Sequence, residues 1–164
     1  MDISIYTDGA ARGNPGPGGY GVVMLAGPHR KELAAGFRYT TNNRMELLSV
    51  IVALEQLKSP GQTVTVYSDS KYVVDAIEKK WIAGWQRKNW KEVKNPDLWQ
   101  RLIQVMSQHK VRFTWVKGHA ENVENNRCDQ LAVKASYGPD FYVDSYYEQQ
   151  SPPKFALKDY KAKR

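Results

Sequence analysis

At 164 residues the chain has room for one domain with a real hydrophobic core, and not for two of ordinary size. Its composition is globular, the lone Cys128 excludes an internal disulfide framework, and no apolar run approaches the roughly 20 residues of a membrane span. The formal charge of +7 suits a polyanionic partner such as nucleic acid, although a moderately basic protein without such a partner has the same balance. The polar start Met1-Asp2-Ile3-Ser4 carries no signal core, and with the cysteine usage it predicts a cytoplasmic protein.

Asp2-Ile3-Ser4-Ile5-Tyr6-Thr7-Asp8-Gly9 reads as a strand, with Ile3 and Ile5 on one face and Ser4 and Tyr6 on the other. Asp8 falls at its end, and Gly9 with Gly13-Asn14-Pro15-Gly16-Pro17-Gly18-Gly19 predicts a glycine-rich bend open to a ligand. A carboxylate there can hold a metal or simply cap a turn. Tyr20 to Leu25 and Lys31 to Thr40 predict two further strands joined at Gly27-Pro28, so that the chain opens as an antiparallel meander.

A helix follows, with Asn43 as N-cap, Glu46 as the reciprocal capping-box residue, and Leu47, Leu48, Ile51, Leu54 and Leu57 at helical spacing. Thr63 to Asp69 is a fourth strand, again ending in an aspartate. Helical stretches from Lys71, Trp81 and Leu98 lead to a fifth strand at Val111–Val116 and a last helix at Asn125–Ser136. Alternating strands and helices in this half imply parallel crossovers. The division expected is one domain over 1–147 and a mobile C-terminal tail over 148–164.

Strands in one sheet lie about 4.8 Å apart, so Asp8 and Asp69 would share a pocket if their strands were neighbours. Spacing alone leaves that open. Glu46 has its capping role, Asp129 could be a polar residue on an exposed helix face, and His119 a loop histidine.

Taken together, Thr7-Asp8-Gly9, Asn14 to Gly21, Thr40 to Leu47, Ser68-Asp69-Ser70, and Val116-Lys117-Gly118-His119-Ala120 followed by Asn125-x-x-Cys128-Asp129 resemble bacterial-type ribonuclease H, type I. The resemblance runs from about Ile3 to Tyr147. It implies an α/β fold with a five-stranded mixed sheet, first three strands antiparallel, flanked by helices. It also implies endonucleolytic cleavage of the RNA strand of an RNA/DNA hybrid by a monomer. On it Asp8, Glu46, Asp69 and Asp129 are the metal-binding carboxylates and His119 a mobile helper near the leaving group. Hard Mg²⁺ or Mn²⁺ suits an all-carboxylate set, and two ions roughly 3.5–4 Å apart would activate water and stabilise the departing 3′ oxygen, leaving 5′-phosphate and 3′-hydroxyl ends.

Asn14, Thr41, Asn42 and Asn43 are short polar groups of the kind that reads 2′-hydroxyls in the minor groove of an A-like duplex, besides their ordinary turn and cap chemistry. The stretch Trp81 to Asn95 interleaves three tryptophans with Arg87, Lys88, Lys91 and Lys94. Tryptophans at i and i+4 usually mean core packing. The resemblance makes this stretch a basic protrusion gripping the DNA strand, with Trp81 and Trp85 near the sugar-phosphate channel. Three departures stand out: a short segment between Trp90 and Asn95, Glu121 where glycine is common, and Tyr39 where a basic residue is frequent. Two other readings compete, a hybrid-binding module that does not cut and an actin-like ATPase, whose first strand also ends in Asp-x-Gly but which needs two related domains. A protein partner at the tail is a further expectation.

Overall fold

The computed structural model describes residues 2–118 and 121–153. Strands β1 (Asp2–Ala11), β2 (Gly16–Ala26) and β3 (His29–Thr40) form the expected antiparallel meander, followed by helix α1 (Asn42–Glu55) and strand β4 (Thr63–Ser68). Helices α2 (Lys71–Glu78), α3 (Trp81–Arg87) and α4 (Pro96–Met106) precede β5 (Lys110–Trp115). Helix α5 (Val123–Ser136), strand β6 (Phe141–Tyr142) and helix α6 (Ser145–Gln150) follow. The strand order is β5-β4-β1-β2-β3-β6, with β4 parallel to β1, β5 parallel to β4 and β6 parallel to β3.

The sheet is therefore mixed and helix-flanked as expected, but it has six strands rather than five. β6 contributes only two residues, paired with Gly36 and Phe37. A segment that short shows no alternation to read.

Alternation along β2 explains how both faces are covered. Tyr20, Val22 and Met24 point into a core with Ile5, Leu47, Ile51, Leu54, Val66, Trp99 and Leu102, where helices α1 and α4 pack. Burying each of these aliphatic side chains contributes about 1.5–3 kcal/mol. Gly19 and Gly21 face the other way, against α5. A Cβ on Gly19 would lie 2.6 Å from Ala132 O, and one on Gly21 would lie 2.7 Å from Leu131 Cβ.

This corrects the expectation of a long glycine-rich bend. Gly16, Gly18 and Gly19 are strand residues, and β1 itself continues to Ala11. The turn is confined to the four residues between the strands, with Gly13 at φ +84. Among them Gly19 serves close packing against α5, while Gly16 and Gly18 lie against Arg12 of the turn and Thr40 of β3.

The start of α1 also differs. Thr41, not Asn43, is the N-cap, its Oγ1 accepting from Arg44 N–H at 3.2 Å. Glu46 thus falls beyond the reach of a capping box, and its carboxylate turns elsewhere.

Candidate active site

Strand register places the first two carboxylates. Ile5 pairs with Val66, Tyr6 with Tyr67 and Thr7 with Ser68. The Tyr6 and Tyr67 rings stack at 4.5 Å. Two residues further along the same face, just past the last β1–β4 pair, come Asp8 and Asp69. Gly9 then lets the end of β1 press against Met45 and Glu46 of α1, which brings in the third. One oxygen from each of Asp8, Glu46 and Asp69 lies within 4.8 Å of the others.

Crowding of this kind disfavours charge. Burial, and after it the neighbouring Asp69, pushes the Asp8 carboxyl up to about 8, against the counteracting hydrogen bonds from Glu46 and from Gly9 N–H, the latter at 2.9 Å. Glu46 is raised well above the ordinary carboxylate range, chiefly by burial and then by Asp8 and Asp69. The hydrogen bond between them lowers Asp8 and raises Glu46, and both carboxyls stand well above the ordinary carboxylate range. Its Oε2 is buried and has no hydrogen-bond partner.

An orphaned carboxylate oxygen in a cluster of hard oxygen donors fits a divalent cation of the Mg²⁺ or Mn²⁺ type. A cation there would supply the charge that protons otherwise neutralise.

Asp129 sits half-buried on α5 and does not join the three oxygens within 4.8 Å, yet its charge reaches Asp8 and raises it. His119 lies outside the described residues. The last residue described before it, Gly118, abuts the site: a Cβ there would be 3.1 Å from Asp69 Oδ2.

Of the polar candidates, Asn14, Thr41, Asn43, Lys94 and Asn95 line one cavity of about 500 Å³ with Arg44, and Asn42 does not. Asn14 Oδ1 accepts from Asn42 N–H at 2.9 Å, which ties the β1–β2 turn to the start of α1. Asn95 donates to Tyr72 OH at 3.0 Å and accepts from Arg44 at 3.2 Å.

The tryptophan stretch divides. Trp85 is half-buried, its ring centroid 5.2 Å from that of Trp99 and 6.3 Å from that of Trp90, so it anchors α3 to the core. Trp81 is 42% exposed and shares a shallow hollow with Lys80, Arg87 and Lys88. Lys91 and Lys94 are also exposed, on a tight segment where Asn89, Trp90, Glu92 and Asn95 all take positive φ.

Sequence reasoning missed the buried charge beside this cavity. Arg44, 2% exposed, forms paired hydrogen bonds to Asp97 at 2.7 and 2.9 Å and to Asp144 at 2.7 and 3.0 Å, and Thr40 Oγ1 adds a bond to Asp144 at 2.7 Å. Burial pulls the guanidinium down, but the two carboxylates outweigh it and hold it charged. Tyr39, at the position noted for lacking a basic residue, is buried with its ring centroid 5.6 Å from that of Tyr147. Glu148 pairs with Arg38, so the described chain through α6 is fastened to the body.

The RNase H family model matches residues 1–137. Curated relatives named Ribonuclease H include one from Desulforamulus reducens, 58% identical over 148 residues, covering 87% of this chain and 92% of the relative. Another, from Trichodesmium erythraeum, is 53% identical over 152 residues, covering 90% and 96%. Among solved structures, LC9-RNase H1, a type 1 RNase H with the type 2 active-site motif, superposes with a TM-score of 0.74 at 30% identity, covering 99% of this chain and 86% of its own. LC11-RNase H1, solved in complex with an RNA/DNA hybrid, gives a TM-score of 0.61 at 29% identity, covering 82% and 96%.

Proposed function

The chain belongs to the RNase H family, an endonuclease family, and on that premise we propose that it cuts the RNA strand of RNA/DNA hybrids with Mg²⁺ or Mn²⁺ bound by its carboxylates. The observation that carries this reading is the meeting of Asp8, Glu46 and Asp69 oxygens within 4.8 Å, just past the end of the β1–β4 pairing. Asp8, Glu46 and Asp69 would hold the metal, with Asp129 approaching from α5. Bound as a pair, such ions supply a water nucleophile and charge stabilisation for the leaving 3′ oxygen, giving 5′-phosphate and 3′-hydroxyl ends. His119 follows Gly118, which lies against Asp69, and in this reading it assists departure of the leaving group.

Around this centre the protein's own groups orient the duplex. Asn14, Thr41, Asn42 and Asn43 offer amides and a hydroxyl to 2′-hydroxyls and base edges, and Asn95 shares a cavity with Asn14, Thr41 and Asn43. Arg87, Lys88, Lys91 and Lys94 provide positive charge for the DNA strand. Trp81 presents an exposed ring, while Trp85 supports it from beneath, their centroids 6.4 Å apart. In this reading residues 1–147 are the catalytic unit, Glu148 of α6 is tied to it by the ion pair with Arg38, and the sequence beyond α6 serves a protein partner. No described helix is long and apolar enough to cross a membrane.

Incubation with labelled RNA/DNA hybrid, duplex RNA and duplex DNA, with and without Mg²⁺, tests the reading. Internal cuts in the RNA of the hybrid alone, and only with metal, are expected. Binding without cleavage under all metals would instead make the chain a hybrid-binding module.

A further inference from the structure

The end of β4 is also the end of its backbone ladder with β5. Paired residues run from Thr63 and Lys110 to Ser68 and Trp115, and Val116 N–H donates to Ser68 O at 2.9 Å. One residue further on, the donor comes from a side chain: Trp115 Nε1–H donates to the backbone oxygen of Asp69 at 3.2 Å. Trp115 is 43% exposed, so its ring is not there to fill the core. The Lys71 ammonium stands 5.0 Å from the ring centroid, a cation–π contact from the start of α2.

We propose that Trp115 is a positioning residue for Asp69. Its indole adds one rung to the β4–β5 ladder and fixes the backbone from which that carboxylate projects, and Lys71 steadies the ring. The inference rests on Asp8, Glu46 and Asp69 being the metal ligands, and extends that reading to a residue outside the cluster. A ligand whose backbone is already held loses less freedom when the ion arrives, so its affinity is higher.

The test uses the full chain and Trp115→Phe, which keeps a ring and removes the N–H. The metal alone, Mg²⁺ or Mn²⁺ without nucleic acid, is titrated and the rise in Tm followed. The substitution should raise the metal concentration at half-rise about 2–10-fold, the range a single hydrogen bond supports. The Mg²⁺ midpoint for hybrid cleavage should move by the same factor. Hybrid affinity in chelator and its salt dependence should stay as in the parent, and the metal-free Tm should fall by no more than the few degrees one hydrogen bond is worth. An unmoved metal midpoint overturns the proposal, and so does weaker hybrid binding with an unmoved midpoint, which would make Trp115 a nucleic-acid contact. If Trp115→Phe does not fold, the parent's Trp115 indole N–H resonance decides: it should shift with Mg²⁺ at the Tm midpoint, and constancy overturns the idea. A parent that binds metal but leaves hybrids uncut would end the nuclease reading while the metal midpoints still decide the role of Trp115.

Discussion

Gly9 lies so close to the backbone nitrogen of Glu46 that a side chain on it would overlap that atom, and its Cβ would sit 2.8 Å from Met45 Cβ. The contact joins the end of β1 to the first turns of α1, and it holds the carboxylates of Asp8 and Glu46 together. Replacing Gly9 by Ala must push strand and helix apart. Overpacking of this kind costs about 1–3 kcal/mol. Gly9→Ala should lower the urea midpoint accordingly and weaken metal binding in a thermal titration. An alanine variant with parental stability and parental metal response would show that the contact has no such role.

Asp8 carries a raised pKa, so the folded protein holds a proton that the unfolded chain has already released. Stability from this source is fully present below the ordinary value of 3.8 and is lost as pH rises through about 8. In chelator, Tm should therefore decline across that window. Asp8→Asn removes one of the crowded charges, each pair of which repels by up to about 4 kcal/mol at 4 Å and an effective dielectric of 20. Because protonation already relieves part of this, the variant should gain about 1–2 kcal/mol near pH 8, roughly 2–8 °C in Tm. It should also lose the metal-induced rise and the activity. Scanning calorimetry from pH 4 to 8 in chelator checks the slope, and identical slopes for parent and variant would refute it.

Arg44 and Asp144 form a buried pair with oxygen–nitrogen distances down to 2.7 Å. Removing one partner of such a pair strands the other, at about 3–5 kcal/mol. Asp144→Ala should approach that loss in denaturant unfolding, softened because Asp97 still pairs with Arg44. Asp144→Asn keeps the shape and part of the hydrogen bonding, and should lose less. Equal losses for the two variants would mean that charge is not what matters there.

Lys88 and Lys91 are exposed and beside Trp81 and Trp90. Each phosphate contact adds roughly 0.7–0.9 to the slope of log affinity against log salt. Lys88→Gln with Lys91→Gln should flatten that slope for hybrid binding in chelator by about 1.4–1.8, taking two contacts. An unchanged slope would remove both residues from the interface.

What the sequence made readable was local. The strands that carry Asp8 and lead into Asp69, the strong helix between them and the parallel crossovers can all be taken from periodicity, and linked motifs pointed to the fold, though the first strand runs past Asp8 to Ala11. Two features were misread because tertiary contact overrode local pattern. Asn43 and Glu46 satisfy a capping-box spacing, but Thr41 captures the cap and Glu46 turns toward Asp8. The glycines after Asn14 look like loop punctuation, yet Gly16, Gly18 and Gly19 are strand residues, and α5 needs Gly19 small. Arg44 had no signal at all, since its partners Asp97 and Asp144 lie 53 and 100 residues away. Nor does helix periodicity tell how near Asp129 comes to the other three carboxylates.

The stacked Tyr6 and Tyr67 mark a register that tolerates no slip. Deleting Ser68 would advance the aspartate after it by one position, and alternation would swing its carboxylate to the opposite side of the sheet. Such a shortened chain would keep its composition and nearly all its mass, yet present two acids where the parent presents three. Calorimetric metal titration on it would count, in missing sites, how strictly a strand's phase is translated into chemistry.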